Sequence, residues 1–502
     1  MAEKSIIIIG AGLAGLSTGC YTQMNGYRSH IFEHHSKPGG VAAAWKRQGF
    51  LIDGGIHFLM GHRPGQPIYD LYRELGTAQA NRFPDMTTYG RFVDEASGYS
   101  VDVTADLDRL ASDLKALSSV DVRVVDELVA GARAMQGSET LFEIGMGKPP
   151  ELTSLLDRLK QFWGMRKTLK YFSGKYAKPM VDYAQTVQNA TLCQILVNLF
   201  LPEVPVWFVF MLLALLANRQ IGLLAGGCPD FVLPIEQRYR ALGGQVTYKA
   251  TVEEILVEND QAVGVRLADG SQHRADVVVS AADGYSTIFK MLGGRYVDEK
   301  IKSRYKNWKL IRPTVMVSFG VAREFLNEPH LSIFLLKNPI SIGSQAIGGF
   351  ALRIFNYGAA FAPPGKTVVQ VMFETEWDFW NDLQKDRPRY DAEKERVAKE
   401  VLTRLEAHYP GISSQVEVTD VATPYTTWRY TLNQKGAYMG WLPTPKELMT
   451  PLPRTLPGLA NFYMAGQWVI PGGGVPPCLY SGRHVVQILC HRDGRSFTTS
   501  VP

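Results

Sequence analysis

Cysteine is scarce and unpatterned in this chain. Five residues, Cys20, Cys193, Cys228, Cys478 and Cys490, are odd in number and scattered over 502 positions. No C-x-x-C pair or Cys/His cluster occurs, which argues against a disulfide framework and a zinc site alike, and points to a reducing compartment. Charge of one sign is also missing. The formal net charge is only +5, so nothing global calls for nucleic acid. No apolar run approaches the roughly 20 residues that a membrane-spanning helix requires. Only Met1-Ala2-Glu3-Lys4 precedes the first apolar run, and that is not the pattern of a secretory signal. A nucleophile motif, an H-E-x-x-H helix and a spaced pair of acids are all absent. What remains is ordinary for a folded protein, 46% apolar and 20% charged, with length for about two domains.

The informative stretch is the first one, Ser5-Ile6-Ile7-Ile8-Ile9-Gly10-Ala11-Gly12-Leu13-Ala14-Gly15. Four consecutive isoleucines predict a strand buried on both faces. The glycines behind it have dinucleotide spacing. Gly10 permits the tight turn, Gly12 lets the backbone approach a pyrophosphate, and Gly15 lets helix and strand pack closely. Leu13 and Ala14 open a helix whose free N–H groups and positive dipole end would face the phosphates. A second strand over residues 29–33 ends in Glu33, placed to accept from ribose hydroxyls, with His34 next to it.

Next come Gly39-Gly40-Val41 and Gly49-Phe50-Leu51-Ile52-Asp53-Gly54-Gly55-Ile56-His57. Fingerprint, acid, Gly-Gly and Gly-Phe-x-x-Asp-x-Gly, in that order, resemble the flavin-dependent amine oxidase superfamily. The nearer likeness is to its phytoene desaturase branch, with carotenoid isomerases and retinol saturases. In that family Arg or Lys usually follows the Gly-Gly pair, whereas Val41 stands here. The resemblance resumes over residues 241–255, where it implies a strand returning to the dinucleotide sheet, with backbone near Val252 facing adenine. Ser280-Ala281-Ala282-Asp283 would close that return. Near the C-terminus, residues 460–467 read as a strand running into Gly466-Gln467, and a Gly/Pro turn leads through Gly474-Val475-Pro476 to a helix from Leu479 to Cys490. This resembles the family's C-terminal flavin motif, in which the glycine approaches the pyrophosphate or ribityl chain and the turn sits by the flavin pyrimidine ring.

The fingerprint alone admits NAD; the C-terminal likeness implies FAD. No second G-x-G-x-x-G marks a nicotinamide site, so a quinone, another lipophilic acceptor or oxygen is the expected electron acceptor. The implied cofactor contacts are the positions just named, from Gly10 to Pro476, including Gly40, Gly55, Ile56, His57 and Ala282. Cys478 reads as a non-covalent wall residue, and His57 as either a flavin neighbour or a structural histidine. No metal is expected, and no catalytic side chain is assigned.

Two further stretches bear on the substrate. Between Arg158 and Lys178 seven cations interleave with Phe162, Trp163, Tyr171, Phe172 and Tyr176 without an acid, either a solvated face or a membrane-surface patch. Val206 to Ala217 is twelve residues without a polar side chain, too short to span, and read as monotopic insertion or the wall of a lipid tunnel, with a plain core helix as the alternative. The expected fold is α/β: a Rossmann-type FAD-binding domain (1–75, 220–285, 426–502) with an inserted α+β substrate domain (76–219, 286–425) that includes a partly apolar, membrane-associating helical region. The expected activity is FAD-dependent CH–CH oxidoreduction of a lipophilic polyene or isoprenoid by hydride transfer at flavin N5. The protein would be cytoplasmic and peripherally membrane-associated. A flavin amine oxidase acting on a soluble amine, and a flavin-bound lipid carrier without turnover, are the alternatives.

Overall fold

The computed structural model describes residues 4–136, 146–166 and 168–502. Five strands form one parallel sheet in the order Phe462–Met464, Val277–Ser280, Ser5–Ile9, Arg28–Glu33, Gln245–Tyr248. Its central strand is the isoleucine run, and Ile6 to Ile9 are at most 4% exposed. An all-parallel sheet is covered on both faces, which is why this strand has no polar alternation. Helix Leu13–Met24 leaves the end of the central strand. A Cβ on Gly15 would lie 1.9 Å from the Gly10 carbonyl oxygen, so this position is held to glycine by helix-on-strand packing.

Helix Val475–Arg492 lies against Leu13–Met24. Gly482 lets the two approach, since a Cβ there would come within 2.6 Å of Thr18 N. Ser17 Oγ also donates to Leu479 O at 2.6 Å. The helix starts four residues earlier than the sequence pattern suggests, because Pro476 and Pro477 fall in its first turn, where a missing N–H costs nothing. Helix Gly227–Ala241 likewise has Pro229 in its first turn, and it carries Pro234 inside. The hairpin after Val252 is Val252–Glu258 with Gln261–Leu267. It turns at Asn259 and Asp260, both at positive φ. The Asp269-Gly270 turn joins its second strand to a third, Gln272–Arg274.

A second, mostly antiparallel sheet has seven strands, in the order Val416–Ala422, Thr314–Val321, Thr367–Glu374, Gln345–Ile354, Leu331–Ile342, Thr88–Asp94, Ser100–Thr104. Strands from before residue 105 and after residue 313 thus share one sheet. Helix Arg387–His408 packs its Val397, Val401 and Leu405 into the same core.

The apolar run Val206–Ala217 is a helix whose Val209, Phe210 and Leu212–Leu216 are buried in protein. It packs on helix Val122–Gln136, where a Cβ on Gly131 would lie 2.4 Å from the Phe210 ring. Monotopic insertion of this run is therefore corrected: protein jackets the helix except at Trp207, Phe208 and Met211, which line an internal cavity. The basic–aromatic stretch also divides. Tyr171, Phe172 and Tyr176 stack on Trp207 and Phe210, whereas helix Leu155–Met165 buries none of its residues. Among the described residues no helix is long and apolar enough to cross a membrane.

Candidate flavin and substrate site

One continuous cavity of about 930 Å³ opens where the C-terminal end of the parallel sheet meets the second sheet. That is large for a single-ligand pocket, for which about 300–1,000 Å³ is usual. Its lining falls into a polar, glycine-rich half and an apolar, aromatic half.

The first half is built from the fingerprint elements. Gly10, Gly12, Leu13 and Ala14 line it at the end of the central strand. Gly10 has φ +97°, and a Cβ on Gly12 would meet nothing within 4 Å. Gly12 thus faces open cavity, the room a close-lying pyrophosphate needs. Helix Leu13–Met24 starts there with no side-chain cap, so its first N–H groups are free for an anion. Gly15 alone of the expected contacts does not line the cavity; its place is the helix–strand contact.

Glu33 is buried at the end of its strand. Its Oε2 accepts from Ala11 N at 2.6 Å and its Oε1 from His35 N at 2.7 Å. Burial pushes its pKa up while these two bonds pull it down. The bonds fix the carboxylate at the cavity edge with lone pairs left for hydroxyl donors. His34, also lining, is held by Thr251 and the Arg429 carbonyl. Val252 lines the cavity near Glu33, whose carbonyl accepts from Ala250 N at 2.9 Å, and Ala282 lines it beside Gly10. Gly39, Gly40 and Val41 pass over the fingerprint loop, where Gly39 N donates to Ala11 O at 2.9 Å. Val41 puts an apolar side chain where the family pattern carries a cation.

The opposite wall is the C-terminal motif. Gly466 has φ +98°, and its N–H donates to Ser481 Oγ. Gln467, Gly474, Val475 and Pro476 line the cavity beside it. Gly474 has φ +96° and open space where a Cβ would project. The helix that starts here is also uncapped. The two prolines of its first turn carry no N–H, so Val475 supplies the free donor and the helix dipole supplies the rest of the positive potential. Cys478 lines the same wall with a thiol that burial pushes up to about 12, so it is protonated and unreactive at neutral pH.

Gly55, Ile56 and His57 join the two halves. Asp53 anchors this loop from below: Oδ1 accepts from Gly55 N and the Cys228 thiol, and Oδ2 from Cys228 N. The Tyr438 hydroxyl bonds the Gly54 and Gly55 carbonyls from above. Enclosure, then the Arg353 charge, hold the His57 pKa well below the usual imidazole value. The ring faces the cavity but not bulk water, and it is neutral at pH 7.

The second half is walled by Phe172, Phe200, Leu201, Trp207, Phe208 and Met211 on one side and by the sheet residues Leu331, Ile333 and Met372 on the other. Trp207, Phe208 and Met211 are the one face of the apolar helix not buried in protein. Arg353 and Tyr438 went unremarked in the sequence. The available signal for Arg353 is a lone charge inside the strand Gly-Gly-Phe-Ala-Leu-Arg-Ile.

This shape fits FAD on structural grounds: two uncapped helix starts, two glycines whose Cβ positions are open, and a fixed carboxylate, all on one cavity. Comparison with known proteins agrees. The model of the flavin containing amine oxidoreductase family matches residues 13–490. The chain belongs to this family. As a member it is a flavin-dependent oxidoreductase, and FAD is its cofactor. It is 24% identical over 505 residues to the chloroplastic prolycopene isomerase of Arabidopsis thaliana, covering 95% of this chain and 81% of that one. It is also 24% identical over 509 residues to the lycopene-forming phytoene desaturase of Pseudescherichia vulneris, covering 97% and 99%. Among solved structures, an oxidoreductase from Methanosarcina mazei superposes with a TM-score of 0.60 at 18% identity, over 96% of this chain and 100% of that one. At that identity the likeness concerns the fold.

Proposed function

We propose that this flavin oxidoreductase acts on a lipophilic polyene, changing the hydrogen count or double-bond geometry of a conjugated or allylic chain. The observation that carries the reading is the continuity of the cavity. The glycine-rich half offers the contacts a dinucleotide needs, and the same cavity continues into the aromatic half. The carotenoid-acting relatives support the same substrate class.

Bound FAD supplies two-electron chemistry at a C–H bond. The chain's part is position and exclusion. Asp53, Cys228 and Tyr438 lock the Gly54–His57 loop against the cavity. Trp207, Phe208 and Met211 hold an extended chain by apolar contact and keep water from the reacting carbons. Neutral His57 places no charge beside a developing hydrocarbon cation. We also propose a peripheral contact with lipid through helix Leu155–Met165, whose last residue lines the cavity. A quinone or oxygen is the proposed acceptor when the reaction is oxidative.

The test is mass spectrometry of lipids from cells that express the chain and are supplied with phytoene or a retinoid. Loss of hydrogen pairs identifies a desaturase, gain a saturase, and a new retention time at constant mass an isomerase. No change on any polyene, with peroxide released from soluble amines, overturns the proposal in favour of an amine oxidase.

A further inference from the structure

Arg353 is only 6% exposed, yet it lines the cavity. Three paired strands set its position. Ser318 is in register with Gln370, and Gln370 with Arg353, so these polar residues stand side by side on one face of the sheet. Gln370 Nε2 donates to Ser318 Oγ at 3.1 Å and to Asp53 O at 3.1 Å, while its Oε1 accepts from Arg353 Nη1 at 3.1 Å. A longer 3.4 Å contact runs from Nη1 to Asp53 O. The guanidinium stacks 4.6 Å from the Phe355 ring centroid. It is therefore rigidly aimed.

Among the described residues no carboxylate forms an ion pair with Arg353, although thirty other pairs are present. The buried carboxylate of Asp53 bonds Gly55 N and the amide and thiol of Cys228, so its charge tempers the guanidinium from nearby without bonding it directly. Glu374, also on the cavity, pairs with Arg312. The neighbours His57, His330 and Tyr357 are neutral: burial, then Arg353 itself, pushes both imidazoles down, and burial pushes the phenol up. A buried cation is retained only when something compensates it. A purely hydrocarbon ligand offers the guanidinium no direct partner.

We propose that Arg353 is an anion-recognition subsite in the substrate half of the cavity, and that the chain-like substrate ends in a carboxylate. The guanidinium fork matches a carboxylate by two parallel hydrogen bonds, and the aromatic wall takes the tail. This rests on the polyene reading above and narrows it to an isoprenoid acid.

The experiment uses FAD-loaded protein and a matched set of C20 polyene probes: retinoic acid, its methyl ester and a hydrocarbon of equal length. Binding is read from quenching of tryptophan fluorescence and from the flavin absorbance. The wild type is expected to favour the acid over the ester by at least about tenfold. Arg353→Met is expected to erase that preference while leaving ester affinity unchanged, and Arg353→Lys to restore part of it. Equal binding of acid and ester by the wild type overturns the inference without touching the polyene reading, and needs no variant to fold. So does an acid preference that survives in R353M. If none of the three probes binds, this inference falls, while the polyene reading stands or falls by the lipid assay above.

Discussion

Two glycines with different duties, Gly12 and Gly15, sit three residues apart in the chain. At Gly12 the backbone is at φ −69°, ordinary for any residue, and the space beyond it is cavity. Gly12→Val should therefore leave the fold alone and cost cofactor: the purified variant is expected with at least tenfold weaker FAD affinity and an unchanged apoprotein melting temperature. At Gly15 the same change drives Cβ into the Gly10 carbonyl. Overpacking of this kind costs about 1–3 kcal/mol, and Gly15→Val should lower the apoprotein melting temperature. Far-UV circular dichroism melts of both apoproteins check the pair. A destabilised Gly12 variant with intact FAD binding would contradict the assignment.

His484 gives a pH dependence at the same scale. Its Nδ1 accepts from Arg454 Nη2 at 2.9 Å, and its Nε2–H donates to Met146 O at 3.0 Å. That pairing requires the neutral ring. Burial first, then the Arg454 charge, push its pKa to about 3, against about 6.5 when unfolded. Below that value the unfolded chain takes up a proton that the folded chain refuses. The stabilisation is thus full above about pH 6.5 and is lost as pH falls toward 3, at up to about 1.4 kcal/mol per pH unit. Urea titrations from pH 7 to 4.5 should show His484→Gln with a shallower acid loss than wild type. Parallel curves would mean that the ring titrates normally in the folded protein.

Among elements, helix Val206–Ala217 divides its duties by face. Phe210 is fully buried against Gly131, and Phe210→Ala should cost about 3–5 kcal/mol, read as a shift of the urea midpoint. Trp207 lines the cavity, so Trp207→Ala should move the preferred chain length of the ligand while shifting that midpoint far less. Elements of this kind also show what could be read beforehand. The glycine spacing and the acid at Glu33 are local signals, set by neighbours in sequence; Gly10, Gly12 and Glu33 line the cavity and Gly15 does not. The apolar run was ambiguous for a physical reason. Twelve apolar residues suit a lipid surface and a protein core equally, and only the partner helix Val122–Gln136 decides between them. Arg353 and Tyr438 lie on strands and loops remote from either motif. Their meaning depends on which cavity they reach, and that is a tertiary fact without a local sequence signature.

At the scale of the whole molecule, the buried fate of the 206–217 helix moves the question of lipid contact to helix Leu155–Met165. Leu155, Leu156, Phe162 and Trp163 are 57% exposed or more, held in helical form by the Ser154–Asp157 capping box. Arg158, Lys160 and Arg166 are exposed on or beside the same helix. Apolar anchors with flanking cations are the combination that binds an anionic lipid surface. Met165 and Phe172 line the cavity, so this helix stands beside its aromatic half. The protein should co-sediment with phosphatidylserine-containing vesicles at low salt and less at high salt. The triple variant Leu156→Ser, Phe162→Ser, Trp163→Ser should stay in the supernatant, since none of these side chains supports the core, while its FAD content and its turnover of detergent-dispersed substrate remain those of the wild type. Wild-type protein that ignores anionic vesicles at every salt concentration would leave this helix without a lipid role, and the cavity would then have to be filled from solution.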